Sequence, residues 1–226
     1  MIPKTAQPSP QQFIAFYRRI AKPGDTILSL HVTSRLSGTF HSAVQAAKEL
    51  ADELKVIPFD SLGGSAGLAF MCRDARVWAE AGATLEQILE RLQWLREHIS
   101  IVLTLDSLEY ARLSGRVRAA QALAASLLRI KPIVELHEGF LDIVDKVRTR
   151  SRALEALVQR VKAKIGDRPV HLAVVHARAP QAATWLKERA RQLFQVRELI
   201  TTNLSIAVTV HLGPGTAGLV AYPAEE

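Results

Sequence analysis

Short apolar runs alternate with amphipathic stretches along the first eighty residues. Residues 26–32 follow a Pro-Gly-Asp turn, and residues 55–60 form a second short apolar run; both are typical of buried strands. Between them, residues 37–54 place Phe40 and Val44 near one face of a predicted helix. A glycine-rich turn then leads into another helical stretch. The order strand, helix, strand, helix predicts a parallel sheet covered by helices.

The second part of the chain opens on a helix start signal. Thr84 and Gln87 fit a capping box, which predicts a helix beginning at Leu85. The further predicted elements are a strand at 99–105, a helical stretch through Leu128, a hairpin of strands at 132–136 and 140–147, helices at 151–165 and 180–193, and strands at 170–176, 196–200 and 206–211. We therefore predict two α/β domains, over residues 1–80 and 81–226.

Composition places the chain among ordinary globular proteins. It has 226 residues, of which 48% are hydrophobic and 23% charged, and this excludes disordered, collagenous and coiled-coil classes. No apolar run reaches the ~18 residues of a membrane-spanning helix, and residues 1–4 do not begin a secretory signal. We expect a soluble, cytoplasmic protein. The one cysteine, Cys72, excludes an internal disulfide, and we predict a buried helical position for it and no metal site.

The net charge of +7 raises the question of nucleic-acid binding. The basic residues are scattered along the chain, and no basic cluster carries interleaved aromatic residues or a known recognition motif. Solvated helix faces account for most of these charges. We predict no nucleic-acid partner.

The segment from His31 to Phe40 is the first candidate for chemistry. It lies where a predicted buried strand ends and a helix begins, which is where open α/β sheets place ligands. Backbone N–H groups at a helix start favour an anion, and Thr33, Ser34, Ser37 and Thr39 would add hydroxyl donors. The alternative is that Ser34 or Ser37 only caps the helix. Both interpretations stay open on the pattern alone.

Three other segments have related features. Residues 5–10 are polar and end in Ser9 and Pro10, which predicts a helix start and offers a second hydroxyl loop. Residues 60–68 are glycine-rich but lack the lysine and spacing of a nucleotide-binding loop. Residues 211–218 predict a fixed tight turn with His211 at its mouth, either as a ligand contact or as a structural residue.

A serine esterase is the enzymatic alternative. It would use Ser34 or Ser37 as the nucleophile with His31 or His211 as the base. The loop lacks the first glycine of the G-x-S-x-G elbow, and no acid for a triad is evident at a readable position.

Taken in order along the chain, these segments resemble the DegV family of bacterial lipid-binding proteins. The resemblance runs from Thr5 to the C-terminus. Its motifs are Gln7–Pro10, Ser34–Phe40, Asp60-Ser61 with Gly67-Leu68, Thr104–Tyr110, Ser114–Val117, Leu127–Ile133 and His211–Gly218. Each motif is weak alone, but seven in register make the match specific.

The resemblance implies a small parallel α/β (Rossmann-like) domain and a larger α/β domain with a mixed sheet. It further implies that a buried long-chain fatty acid is the ligand, without a cofactor. The carboxylate-binding residues it implies are Thr5, Ser34, Ser37, Gly38, His211 and Gly213. Some family members present the lipid to a separate ATP-binding fatty acid kinase, so such a kinase is an expected partner. The stretch 117–130 would be a tunnel wall or a plain core helix.

The sequence departs from the family pattern in two ways. Ala6 stands where the family usually has serine, and the family's N-terminal strand segment precedes the point where this chain begins. A regulatory protein that has lost lipid binding is therefore a further alternative.

Overall fold

The computed structural model describes residues 3–122 and 130–224 of the chain. The N-terminal part contains a parallel pair of strands in which Thr26 lies opposite Lys55 and His31 opposite Asp60. Its elements are α1 (Pro10–Ile20), β1 (Thr26–His31), α2 (Thr39–Glu49), β2 (Lys55–Asp60) and α3 (Ser65–Glu80). The predicted alternation of strands and helices is confirmed.

The rest of the described chain builds a seven-stranded sheet in the order β4-β6-β5-β3-β9-β7-β8. Only the β4–β6 and β7–β8 pairs are parallel, so the sheet is mixed. Its elements are α4 (Leu85–His98), β3 (Ser100–Thr104), α5 (Glu109–Ser114), β4 (Val117–Arg118), β5 (Lys131–His137), β6 (Phe140–Val147), α6 (Arg150–Ile165), β7 (Val170–His176), α7 (Pro180–Leu193), β8 (Val196–Asn203), α8 (Ile206–Leu212) and β9 (Ala217–Pro223).

The two faces of the large sheet bury different cores. Along β3, Ile101 packs with α3 and α4, whereas Val102 packs with α6 and α7. This is the two-residue alternation of a strand covered on both sides. Phe70 of α3 lies in the first of these cores, so α3 packs on the large sheet although it precedes the predicted boundary at residue 80. That boundary stays a prediction.

The predicted strand at 206–211 is wrong. This segment is the helix α8, and the Oγ of Ser205 accepts a hydrogen bond from the N–H of Val208 at its start. Its β-branched residues imitate a strand pattern, but a capped first turn and packing against α5 outweigh that weak propensity.

The predicted helical stretch through Leu128 is also too long. Helix α5 ends at Ser114 because Gly115 adopts a left-handed conformation with φ +67°. The short strand β4 follows it, and residues 123–129 lie outside the described part of the chain. The predicted tunnel wall at 117–130 therefore falls largely on residues that the structure does not describe.

Cys72 lies on helix α3, as predicted, but it is exposed rather than buried. Its neighbour Met71 is buried, because adjacent residues point about 100° apart around a helix. Partial burial of Cys72 still raises the pKa of its thiol. Within residues 3–122 and 130–224, no helix is long and apolar enough to span a membrane. The same residues contain no group of three or more His, Cys, Asp or Glu side chains that could hold a metal ion.

The two-sided packing of the large sheet predicts at which positions shortening a side chain destabilises the protein. Leu157 of α6 is fully buried, whereas Ile206 is 84% exposed. We expect Leu157→Ala to lower the free energy of unfolding by about 2–5 kcal/mol and the control Ile206→Ala to change it by less than about 0.5 kcal/mol. Urea unfolding measures both. Equal effects of the two substitutions would contradict this assignment of the core.

Glu135 of β5 predicts a specific pH dependence of stability. Burial alone would raise its pKa, but hydrogen bonds and charge from Lys164 and Arg160 lower the pKa below the usual range. Because the pKa of Glu135 is lower in the folded protein than in the unfolded chain (about 4.3), its ionised form stabilises the fold. This stabilisation is fully present above the unfolded pKa and is lost as the pH falls through the folded pKa. We expect Glu135→Gln to cost about 1–3 kcal/mol at neutral pH. The difference from wild type should shrink on acidification, and a difference independent of pH would contradict the account.

Candidate functional site

The loop between β1 and α2 connects the small sheet to the large one. Thr33 is fully buried, and its Oγ1 donates a hydrogen bond to the carbonyl of Gly139 in the β5–β6 turn (3.1 Å). The same oxygen accepts from the N–H of Arg35 (3.2 Å). This hydroxyl is therefore a structural link between the two sheets and is not available to a ligand.

Ser34 is held differently. Its backbone N–H donates to the carboxylate of Asp60 at the end of β2 (3.2 and 3.3 Å), and the N–H of Leu62 donates to the same carboxylate (3.0 Å). The carboxyl ends of β1 and β2 thus meet at this point, as the parallel pairing requires. The Ser34 side chain is half-buried, and its hydroxyl has no hydrogen bond to any described residue.

Ser37 and Gly38 shape the start of α2. The hydroxyl of Ser37 accepts a hydrogen bond from the N–H of Thr39 (3.3 Å) and bonds to the Thr39 hydroxyl (2.8 Å). The residue that precedes the helix is Gly38, which makes no side-chain cap. Neither Ser34 nor Ser37 is therefore the N-cap residue, because the helix begins later than the pattern suggested, although the Ser37 hydroxyl still satisfies the N–H of the first helical residue.

The extended N-terminal segment packs against this helix start. A Cβ on Gly38 would lie 1.8 Å from Oε1 of Gln7, so a side chain at position 38 would displace the Gln7 amide from this place. The Gln7 amide also donates to the hydroxyl of Ser42 (3.2 Å). Beyond Gln7, the hydroxyl of Ser9 caps α1 in a full capping box with Gln12, and Pro10 is the first helical residue. The predicted Ser9-Pro10 helix start is confirmed.

Thr5, two residues before Gln7, contacts the other end of the site. Its Oγ1 is hydrogen-bonded to Nε2 of His211 at 2.9 Å, and the carbonyl of His211 accepts from the hydroxyl of Ser114 (3.3 Å). Burial lowers the pKa of His211, and the nearby Arg116 charge lowers it further. The imidazole is therefore neutral at pH 7, and in the tautomer that protonates Nε2 it donates to Thr5 and leaves the Thr5 hydroxyl proton free for an anion.

Thr5 and His211 line a cavity of about 530 Å³. Lys4 and Arg116 also line it, and no aspartate or glutamate is among the described lining residues. Hydroxyl groups, a neutral imidazole and two cations without an opposing acid form an environment that favours an anion. The complete described lining is Pro3, Lys4, Thr5, Tyr110, Leu113, Ser114, Arg116, Val210 and His211.

The turn after His211 is held rigidly against α5. Gly213 has φ +85°, and a Cβ on it would lie 2.6 Å from Cδ2 of Tyr110. The hydroxyl of Thr216 donates to the carbonyls of Leu212 (3.0 Å) and Gly213 (2.8 Å). Gly213 therefore allows close packing that orients His211. The structure shows no other role for it.

The predicted site residues thus form two neighbouring groups joined by the N-terminal segment. Thr5 and His211 line the cavity and Gly213 lies in the turn after His211, whereas Ser34, Ser37 and Gly38 lie in the loop that leads into α2, where Gln7 contacts Gly38. Sequence reasoning gave no role to the cavity residues Lys4, Tyr110, Ser114 and Arg116. Tyr110, Ser114 and Arg116 belong to the motifs Thr104–Tyr110 and Ser114–Val117, and this is the only sequence signal that could have pointed to them.

His31 does not take part in this site. It is 7% exposed, and its Nε2 is hydrogen-bonded to the hydroxyl of Ser29, which also contacts Tyr17. Burial lowers the pKa of His31, and the charge of Asp60 offsets part of that effect. In the described chain, neither His31 nor His211 is hydrogen-bonded to Ser34 or Ser37. The geometry gives no support to the esterase hypothesis.

Comparison with known proteins places these features in a family. The model of the DegV family, described as a family of uncharacterised proteins, matches residues 1–224. A DegV domain-containing protein of Streptomyces coelicolor is 35% identical over 96% of this chain and 77% of its own length. One from Deinococcus radiodurans is 32% identical over 98% of this chain and 79% of its own length.

Solved structures show the same fold. A DegV family protein from Thermus thermophilus, described by its fatty acid binding, has a TM-score of 0.89 and 32% identity over 98% of this chain and 79% of its own. A DegV lipid-binding protein from Thermotoga maritima has a TM-score of 0.88 and 29% identity over 100% of this chain and 79% of its own. The small parallel sheet, the larger mixed sheet and the match across the chain lead to one conclusion: this protein belongs to the DegV family.

Proposed function

We propose that this chain binds one long-chain fatty acid and holds its carboxylate at the cavity between Thr5 and His211. The observation that carries the proposal is the 2.9 Å hydrogen bond between these side chains in a cavity lined by cations and by no described acid. Two of the similar DegV proteins, from Thermus thermophilus and Bacillus subtilis, are described as fatty acid binding. The free hydroxyl of Ser34 would supply a further donor from the small sheet.

Apolar side chains near the site supply surface for the acyl chain. Leu28 and Leu30 of β1, Leu36 of the loop that follows, Ile143 of β6 and Val208 of α8 are only partly buried, yet they pack against the same core. An acyl chain covering such surfaces gains about 0.8 kcal/mol for each buried methylene. The tail would therefore provide most of the affinity, while a few polar groups fix the position of the carboxylate.

The same arrangement suits presentation of the carboxylate to a kinase. Hydroxyl donors leave the carboxylate oxygen more nucleophilic than a bidentate arginine clamp would, and the guanidinium of Arg116 in this cavity already donates to the carbonyl of Ser114. In the proposed step, that oxygen attacks the γ-phosphorus of ATP held by a separate kinase. The bond from this phosphorus to the ADP oxygen breaks, giving an acyl phosphate and ADP. This chain would act only by binding and orienting the fatty acid.

Removing the hydroxyl donors should weaken fatty acid binding without unfolding the protein. We expect Thr5→Val and Ser34→Ala each to raise the Kd for oleate by about tenfold, because a hydrogen bond to a charged group contributes about 1.5–3 kcal/mol. Competition between oleate and a fluorescent fatty acid measures the Kd. The matched control is Thr184→Val, which removes an exposed hydroxyl on α7. Unchanged affinity in both site variants would remove these residues from the site.

If this chain only presents the fatty acid, the phosphorylation of the fatty acid should require a separate kinase. With oleate and ATP alone, the chain should form no acyl phosphate. Adding a purified ATP-binding fatty acid kinase should give acyl phosphate, which hydroxylamine traps as a hydroxamate. Product formed by this chain alone would contradict the carrier role. No increase over the kinase alone would contradict the presentation step.

A further inference from the structure

A second cavity lies away from the fatty acid site, at the opposite end of strand β3. Its volume is about 600 Å³, within the range of about 300–1,000 Å³ that is usual for small-molecule sites. It is enclosed by the loop after β2, the C-terminal ends of α4 and α6, the start of β3 and the β5–β6 turn. His211 and Thr5 are not among its described lining residues.

The first sign of a ligand is a buried hydroxyl in the cavity wall. Ser100, the first residue of β3, is 5% exposed, and its Oγ is buried with no hydrogen-bond partner in the described structure. Strand alternation places Ser100 on the same sheet face as Val102, which packs against α6. A buried hydroxyl without a partner costs about 1–3 kcal/mol, so its position beside a cavity calls for an acceptor or donor from outside the chain.

The second sign is a pair of arginines that lack acidic partners. Arg96 donates to the carbonyl of Asp60 (3.3 Å) and to the side chain of Gln93. Arg168 donates to the carbonyls of Ile165 (2.9 Å) and Lys164 (3.5 Å). Neither forms a salt bridge with any described carboxylate. These bonds fix the guanidinium groups at two helix ends and leave further N–H donors unused.

Arg96 and Arg168 are the lining cations that no described acid neutralises directly. Lys164 also lines the cavity but is paired with Glu135 (2.9 Å). Of the two lining carboxylates, Glu97 accepts a hydrogen bond from Gln93 and Glu138 lies 4.0 Å from His137. Helix C-termini attract cations, which explains why basic residues gather here. It does not explain the unpartnered Ser100 hydroxyl. The apolar part of the wall includes Met71, Ile99 and Ile101, and Gln93, His98 and His137 add polar groups.

We propose that this cavity binds a small organic anion, with its charged group between Arg96 and Arg168, its apolar body on Ile99 and Ile101, and a hydrogen bond to Ser100. The ligand class is a carboxylate or phosphate monoester on a short apolar body. Thr5, Ser34 and His211 are not among the described residues that line this cavity, so the proposal does not depend on the proposed function.

The test uses backbone amide NMR on the full chain with oleate added in excess, so that the probes do not compete for the proposed fatty acid site. Hexyl phosphate and hexanoate are the anionic probes, and hexanol is the neutral control of the same length. We expect saturable shifts centred on the amides of Ser100, Ile101 and Leu136 with at least one anion, and at least tenfold weaker binding of hexanol. A stronger response to hexyl phosphate than to hexanoate would assign a phosphate ligand, and the reverse would assign a carboxylate.

Variants then connect the binding to the named groups. Arg96→Gln and Arg168→Gln should each weaken anion binding about tenfold, and Ser100→Ala should weaken it by a smaller factor. Arg197→Gln, at an exposed position on β8, is the matched control and should have no effect. The proposal is wrong if neither anion gives saturable shifts, if hexanol binds as well as the anions, or if all variants bind like wild type. The comparison of probes needs no variant, so poor folding of one substitution leaves the test intact.

Discussion

The hydrogen bond between Thr5 and His211 joins parts of the chain that are 206 positions apart. Everything proposed for the fatty acid site depends on this contact, because it brings the N-terminal segment to the turn that precedes β9. From Thr5 the segment continues to Gln7, which packs on Gly38 and bonds to Ser42. One short extended segment thus contacts both groups of site residues.

The surrounding structure keeps this contact in place through backbone constraints. Gly38 leaves space for Gln7, and Gly213 leaves space for Tyr110. The Thr33 hydroxyl, bonded to Gly139, ties the small sheet to the β5–β6 turn of the large one. These close approaches require residues without side chains or with short ones. They explain why glycines and small hydroxyl residues concentrate in the family motifs, although only some of them can touch a ligand.

Much of the fold could be predicted from local patterns, and the errors have physical causes. The capping boxes at Ser9 and Thr84 are encoded within four residues, so both helix starts were predicted. The α8 segment was misread because alternating β-branched residues resemble a strand, while tertiary packing against α5 decides its conformation. The prediction that Cys72 is buried is wrong because the general preference of cysteine for burial does not show which side of a helix faces solvent.

The candidate site was predictable only in part. The resemblance pointed to Thr5, Ser34 and His211, but no local pattern could show that Thr33 is used for a structural bond while the Ser34 hydroxyl stays free. The cations Lys4 and Arg116 come from distant segments, and their meeting at one cavity depends on tertiary structure. The same holds for Arg96 of α4, Ser100 of β3 and Arg168 of the loop after α6, which meet at the second cavity.

The central claim is that this chain is a fatty acid carrier, and native mass spectrometry of the purified protein tests it most directly. The account predicts a species heavier than the polypeptide by one long-chain fatty acid, and organic extraction should release that acid in about equal molar amount to the protein. A polypeptide that carries no acyl chain as purified and takes up none after incubation with oleate would contradict the account.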